Sequence, residues 1–467
     1  MGSAIIPIHS SWHSTEIETL KVHYFATHQR VFFPNSKRSK LFPIKSSTRP
    51  GNGNSSAMKK DLAVEIDPDS AADLHATSTP NQALSRRFSR GLVFNLGSKG
   101  SWDAAEVGSA VVKRFIGDDE ERWFMWYHGR SKRESSDSIG LAVSSNGVQW
   151  TRGAKNASSC GDVGCVMNCS EKWWAFDTKG IRPSEVVIMS SPMYSSVQWL
   201  YYTGYTSQEV DLSGVSYIQH GLLAVADVVP RDPSYGSSRE HTSKTAGNQK
   251  DRIFKSFPGL ACSQDGRHWA RIEGDNHSGA LLDVGTDKDW DSLFIAAPKV
   301  VVHSSDDLRM YYYSFDAEND HFALGMARSR DGIRWVKLGK IMGGGSVGSF
   351  DELGVRNASV VRSHQGGNYL MAYEGVAADG RTSIGVAVSS DGLKNWKRVQ
   401  EEPILEPLED DGWDNRGVGS PCLVHIRKKT DEWRLYYVGV GNDGRTGIGM
   451  AVSEGSDITT FRRWEGI

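Results

Sequence analysis

No run of about 18 apolar residues occurs anywhere in the 467 positions, so nothing in the sequence is suited to cross a bilayer as a helix. Cysteine is scarce. The five that exist (Cys160, Cys165, Cys169, Cys262, Cys422) are too few and too unevenly placed for the disulfide framework of a small secreted domain, and they fit a reducing compartment. Beyond the N-terminal stretch there is also no basic stripe. Formal charge is −2 overall, but residues 1–60 carry nine Lys/Arg against two acids (Glu16 and Glu18), a local +7 that leaves −9 on the rest. An acidic body argues against a nucleic-acid backbone or a polybasic membrane surface as partner, since both need clustered Lys/Arg.

The first sixty residues lack the compact apolar core and small-residue cleavage site of a secretory signal. They are rich in serine, basic and nearly free of acids, which is the composition of an organellar transit peptide. A plain disordered basic tail is the alternative. The expectation is therefore a disordered targeting segment over 1–60, import into the chloroplast stroma, a linker over 61–90, and one folded body over 91–467.

That body repeats itself. Five times an aromatic-Asp pair (Trp102-Asp103, Phe176-Asp177, Trp290-Asp291, Phe350-Asp351, Trp413-Asp414) precedes a short apolar run, a Trp/Tyr-rich run, and a Gly-apolar-Ala run. In the first four copies Asn-Gly or Asp-Gly and then Trp close the unit. The pairs lie 74, 114, 60 and 63 residues apart, so the unit is about sixty residues and the second carries an insertion over 209–255, expected to form a surface loop. Short aromatic and β-branched runs separated by turn residues predict small antiparallel sheets, with Asn-Gly and Asp-Gly as two-residue hairpins. Four strands per unit leave edges and one apolar face uncovered, and radial repetition hides both. The predicted fold is all-β, a five-bladed β-propeller of four-stranded antiparallel blades. An open solenoid is the structural alternative.

With these landmarks the unit resembles the blade of the five-bladed glycoside hydrolases, the superfamily of arabinanases, β-xylosidases, levansucrases and invertases, with a more distant likeness to mannoside phosphorylases. The resemblance spans about Trp102 to Trp464. It implies an active site at the channel mouth, with one Asp as base or nucleophile, a Glu as acid and a second Asp tuning that acid, beside a Pro position in the first strand of each unit. Here that position holds Ala110, Ser184, Pro298, Ala358 and Pro421, and among the flanking residues only Glu185 is acidic. The chain departs from the family pattern at this point.

Candidate catalytic residues are accordingly Glu185 and Glu374 as acids, and Asp103 and Asp291, the aromatic-Asp acids of the first and third units, as base and tuning residue. A carboxylate present in all five units is more simply a blade-building device, so Asp103 and Asp291 carry that second reading too. Glu374 breaks the repeat: its counterparts are His128, Thr203, Ser314 and Val438. Arg182, Arg356 and Arg416 precede first strands and Lys299 follows the third Pro position. With Asn357 and His128 they are candidate ligand-binding residues for a carbohydrate or anionic sugar derivative. Aromatic strips such as Trp173-Trp174 and Tyr201-Tyr202 suit sugar stacking, with blade core as the plainer reading of most of them. The spacing of Cys160, Cys165 and Cys169 matches no common zinc pattern. The sequence calls for no metal and no cofactor. Two functions stay open: a glycosidase, transglycosidase or phosphorylase, and a catalytically silent propeller that holds a sugar-derived ligand or another protein.

Overall fold

A computed structural model describes residues 90–116, 121–131, 136–153, 163–191, 194–210, 254–363, 367–409, 411–426 and 431–466, all within one compact unit. The expected transit segment 1–60, the linker up to residue 89, Cys160 and most of the 209–255 insertion lie outside these residues. Among the described residues there is no helix, and so none long and apolar enough to cross a membrane.

A short strand β1 (Leu92–Phe94) comes first. The first repeat supplies β2 (Glu106–Ile116), β3 (Glu121–Arg130), β4 (Ser138–Ser144), β5 (Thr151–Arg152) and β6 (Cys165–Met167). The second supplies β7 (Gly180–Ser191), β8 (Tyr194–Glu209), β9 (Phe254–Ser263) and β10 (Ala270–Ile272), and the third β11 (Ala296–Ser304), β12 (Asp307–Asp316), β13 (His321–Ser329) and β14 (Val336–Met342). The fourth gives β15 (Val355–Arg362), β16 (Tyr369–Val376), β17 (Thr382–Ser389) and β18 (Lys397–Arg398), and the fifth β19 (Gly417–Ile426), β20 (Glu432–Val440), β21 (Thr446–Ser453) and β22 (Phe461–Arg463). Each repeat pairs antiparallel in chain order, with β6 added to β4 and β1 to β21. Hydrogen bonding joins the fourth and fifth repeats into one nine-stranded sheet, through the single parallel pair Thr382–Gly417.

The closing sequence of each unit forms a turn longer than a two-residue hairpin. The Asp or Asn bridges the backbone: Asp265 Oδ1 accepts from the N–H of Arg267 and of His268, both at 2.9 Å, and Asn146, Asp331 and Asp391 do the same. The glycine that follows has φ between 67° and 77° in these four units, which only glycine adopts without strain.

The aromatic-Asp pair is a clamp. Each Asp is buried and its Oδ2 accepts from a second-strand tyrosine of the same unit: Tyr127 at 2.9 Å, Tyr202 at 3.1 Å, Tyr312 at 2.9 Å, Tyr373 at 3.0 Å and Tyr437 at 3.1 Å. A cation near the end of the unit completes it: Arg152 at 2.6 Å, Arg271 at 2.7 Å, Lys337 at 2.8 Å, Arg398 at 2.6 Å and Arg463 at 3.0 Å. The preceding Trp or Phe lies against the same tyrosine, with ring centroids 5.4 to 6.1 Å apart. A buried carboxylate is tolerable only when paired and hydrogen-bonded. All five meet that condition.

Successive side chains on a strand face opposite ways, so the aromatic just before each clamp tyrosine points to a neighbouring unit. Trp126 Nε1 donates to Gly266 O at 2.8 Å, Tyr201 Oη to Gly332 O at 3.1 Å, Tyr311 Oη to Gly392 O at 2.6 Å, and Tyr436 Oη to Gly147 O at 2.7 Å. Ala372 holds this place in the fourth unit and has nothing to donate. The last bond runs from the fifth unit to the first. Apolar packing follows the same cycle: the five core clusters lie between units one and two, two and three, three and four, four and five, and five and one. First strands also pack in that order, β2 on β7, β7 on β11, β11 on β15, β15 on β19 and β19 on β2.

Candidate functional site

Every first strand loses its regular register near its start: between Gly108 and Val111, Pro183 and Glu185, Ala296 and Lys299, Arg356 and Ser359, and Gly419 and Cys422. Four of these bulges place a non-glycine residue in the left-handed region, with φ of 46° at Ser109, 50° at Ala297, 48° at Asn357 and 45° at Ser420. Such a conformation costs roughly 1–2 kcal/mol each. Proline cannot adopt it, and the second unit has Pro183 there. These five residues line a common cavity of about 50 Å³, together with Arg182, Lys299, Thr203, Tyr205 and Tyr313. Its lining residues offer hydroxyls, one amide and two cations, and include no Asp or Glu.

The nearby carboxylates are all engaged elsewhere. Glu374 Oε1 takes Arg356 Nε and Nη2, each at 2.6 Å, and Oε2 accepts from Asn357 Nδ2 at 2.8 Å and from the Ser420 N–H at 2.9 Å. Glu374 therefore pins the fifth unit's bulge to the fourth unit. Thr203 does this between the second and third units, where its Oγ1 accepts from the Ala297 N–H at 2.8 Å. Glu185 lies between Lys113 and Lys299, the latter at 2.7 Å. Burial alone would raise the Glu185 pKa, but the two ammonium groups outweigh it and hold the carboxyl below its ordinary value.

A third cluster joins the first two units. Glu106 binds Arg130, lies 3.3 Å from His128 Nε2, and lies 3.4 Å from Arg182. Asp137 takes Arg130 Nε at 2.9 Å and Arg182 Nε at 2.6 Å. Burial again pushes the Glu106 carboxyl up, and Arg130, His128 and Arg182 reverse this and hold it well below the usual range. Sequence reading missed Glu106, Arg130 and Asp137. A signal existed, because Glu106 stands where the other units have Gly180, Phe294, Gly354 and Gly417, the same break in the repeat that singled out Glu374.

Of the expected ligand residues, Lys299, Arg182 and Asn357 line the cavity. Arg356 is committed to Glu374 and stacks over Phe322 at 5.3 Å. His128 is buried against Glu106 and is not part of the lining. Arg416 does not join them: it is exposed. It stands five residues ahead of its unit's Pro position, whereas Arg182 and Arg356 stand two ahead, a difference of about 10 Å along a strand. Asp103 and Asp291, the candidate base and tuning acid, are two of the five clamps, buried at 0% and 2% exposure and absent from the cavity lining. Cys165 stands on β6, and its Sγ lies 3.2 Å from Asn168 Oδ1. Burial, and then the carboxylates of Asp137 and Asp177, push the Cys169 thiol up to about 12, so it is not a reactive thiolate at neutral pH.

No family model matches the chain. A stretch of 131 residues is 30% identical to the "Uncharacterized protein Rv1502" of Mycobacterium tuberculosis (strain ATCC 25618 / H37Rv), and covers 27% of this chain and 39% of that protein's length. Among solved structures, a glycoside hydrolase superposes with a TM-score of 0.50 at 15% identity, over 84% of this chain and all of the other. A BT0996 RGII complex gives 0.51 at 14% identity, over 82% of this chain and 98% of the other. The fold is that of propeller-like glycoside hydrolases. At such identities the likeness speaks for fold alone.

Proposed function

We propose that the chain is a closed five-bladed β-propeller of the chloroplast stroma that binds a sugar-derived ligand where its first strands converge, and that it does not cleave glycosidic bonds. Closure is supported by the fifth apolar interface, between the last unit and the first, and by the Tyr436 bond to Gly147; an open row of five units would have four interfaces. The plastid assignment rests on the composition of residues 1–60. Fluorescence of a fusion carrying residues 1–60 tests it, and a cytosolic signal overturns it.

The observation that carries the functional reading is the cavity lined by hydroxyl, amide and cation but no carboxylate. Glycosidic cleavage needs two carboxyl groups across the scissile bond, one of them protonated at working pH. Glu185 is held in its ionised form by two lysines, and Glu374 has both oxygens committed to structural partners. A ring of fixed donors suits the hydroxyls of a sugar. Titration calorimetry with a panel of monosaccharides and sugar acids tests the reading: binding without product release is expected, and turnover overturns it. A protein-interaction scaffold is the second reading. It draws on Trp173 and Val347, which are 88% and 92% exposed, and a panel that shows no binding at all would favour it.

A further inference from the structure

Charge is balanced at two of the three ionic clusters around the cavity and unbalanced at the third. Glu106 and Asp137 share Arg130 and Arg182, two acids against two cations. Glu374 is matched by Arg356. Glu185, however, is the one carboxylate shared by Lys113 and Lys299, so this trio carries a surplus positive charge. Lys113 is 29% exposed in its side chain and is partly solvated, whereas the Lys299 side chain is 7% exposed and lines the cavity. An ammonium group has three hydrogens to donate. Among the described residues the acceptors for Lys299 are Glu185 Oε2 at 2.7 Å and Ser184 O at 3.4 Å, which leaves one donor. Beside it on the cavity wall stand the hydroxyls of Ser184, Thr203 and Ser420 and the amide of Asn357.

We propose that the ligand is anchored through an oxyanion, a carboxylate or a phosphate monoester, held by Lys299 with these hydroxyls around it. A buried surplus cation with a free donor is unfavourable until an anion completes it. A cavity of about 50 Å³ also admits such a head group rather than a whole sugar ring, whose usual sites run to roughly 300 Å³ or more. The sugar then lies outward of the anchor. This inference rests on the sugar-binding reading and narrows it to sugar acids or sugar phosphates.

The test is calorimetric titration of the full chain with galactose, galacturonate and galactose 1-phosphate, and with acetate and inorganic phosphate as bare anions. One of the two charged sugars should bind about tenfold or more tightly than galactose, as a charge-assisted hydrogen bond provides. Which of them wins separates a carboxylate from a phosphate ligand. Lys299→Met should erase the preference. Glu185→Gln, which leaves both lysines without their acid, should strengthen anion binding, and this guards against a Lys299 variant that merely fails to fold. Equal binding of galactose and both acids overturns the anchor and leaves the sugar site standing. Bare anions bound through Lys299, with no gain from any sugar, keep the anchor and remove the sugar reading. Silence from all five probes takes down both.

Discussion

The outer clamps and the inner mouth of this protein obey opposite rules. At the clamps five units are built alike: an Asp, a tyrosine, a cation and a stacked ring, at distances that vary by a few tenths of an ångström. At the mouth no two units match. Position for position the second strands offer His128, Thr203, Ser314, Glu374 and Val438, and the bulges Ser109, Pro183, Ala297, Asn357 and Ser420. Residues that hold repeated units together must serve each unit equally, while a ligand off the axis needs donors on one side only. The repeat therefore marks structure, and its breaks mark the site.

That contrast can be broken by mutation. The largest expected effect is at a clamp: Asp291→Ala leaves Lys337 and the Tyr312 hydroxyl without their buried acceptor and should lower stability by about 3–5 kcal/mol in urea unfolding. Ligand affinity of the folded fraction should not change. A loss of binding at full stability would return Asp291 to the site.

Acid should act next, through the cluster carboxylates. Glu106 and Glu185 have folded pKa values below the ordinary 4.5, despite burial, because the cations beside them prevail. Their contribution to stability is thus fully present above about pH 4.5 and is lost as pH falls toward the folded values. Thermal unfolding followed against pH should decline below that point, and Glu106→Gln should flatten the decline. A stability that rises with acid would contradict the assignment.

Smaller effects sharpen the comparison. Tyr436→Phe removes the bond that ties the fifth unit to the first and should cost about 1 kcal/mol. A cost no different from that of an exposed tyrosine would argue against closure there. Ala297→Gly relieves a left-handed backbone, and after the entropy that glycine loses on folding it should stabilise by roughly 0.5 kcal/mol. Destabilisation would mean that the Ala297 methyl packs usefully into the cavity wall.

The all-β character and the antiparallel strand order were legible because the clamp writes the same aromatic-Asp pair and tyrosine into every copy. The turns were legible as turns through their Asp-Gly pairs, though not their length, which the backbone-bridging Asp sets. The bulges were not legible: Ser109, Ala297, Asn357 and Ser420 give no glycine signal for their positive φ. Of the Glu106 cluster only Glu106 itself left a signal, since Arg130 at the end of β3 and Asp137 just before β4 meet Arg182 only when the first two units pack. Arg416 was misplaced for the converse reason, a shared proximity in sequence without a shared register.

Binding without hydrolysis, as proposed for the mouth, follows from its locked neighbouring carboxylates. Phenol release from aryl glycosides of arabinose, xylose, galactose and mannose, followed from about pH 4 to 8 for the natural protein and for Glu374→Gln, measures it most directly. No release above buffer is expected at any pH for either protein. A bell-shaped activity in the natural protein that vanishes in a folded Glu374→Gln variant would contradict it.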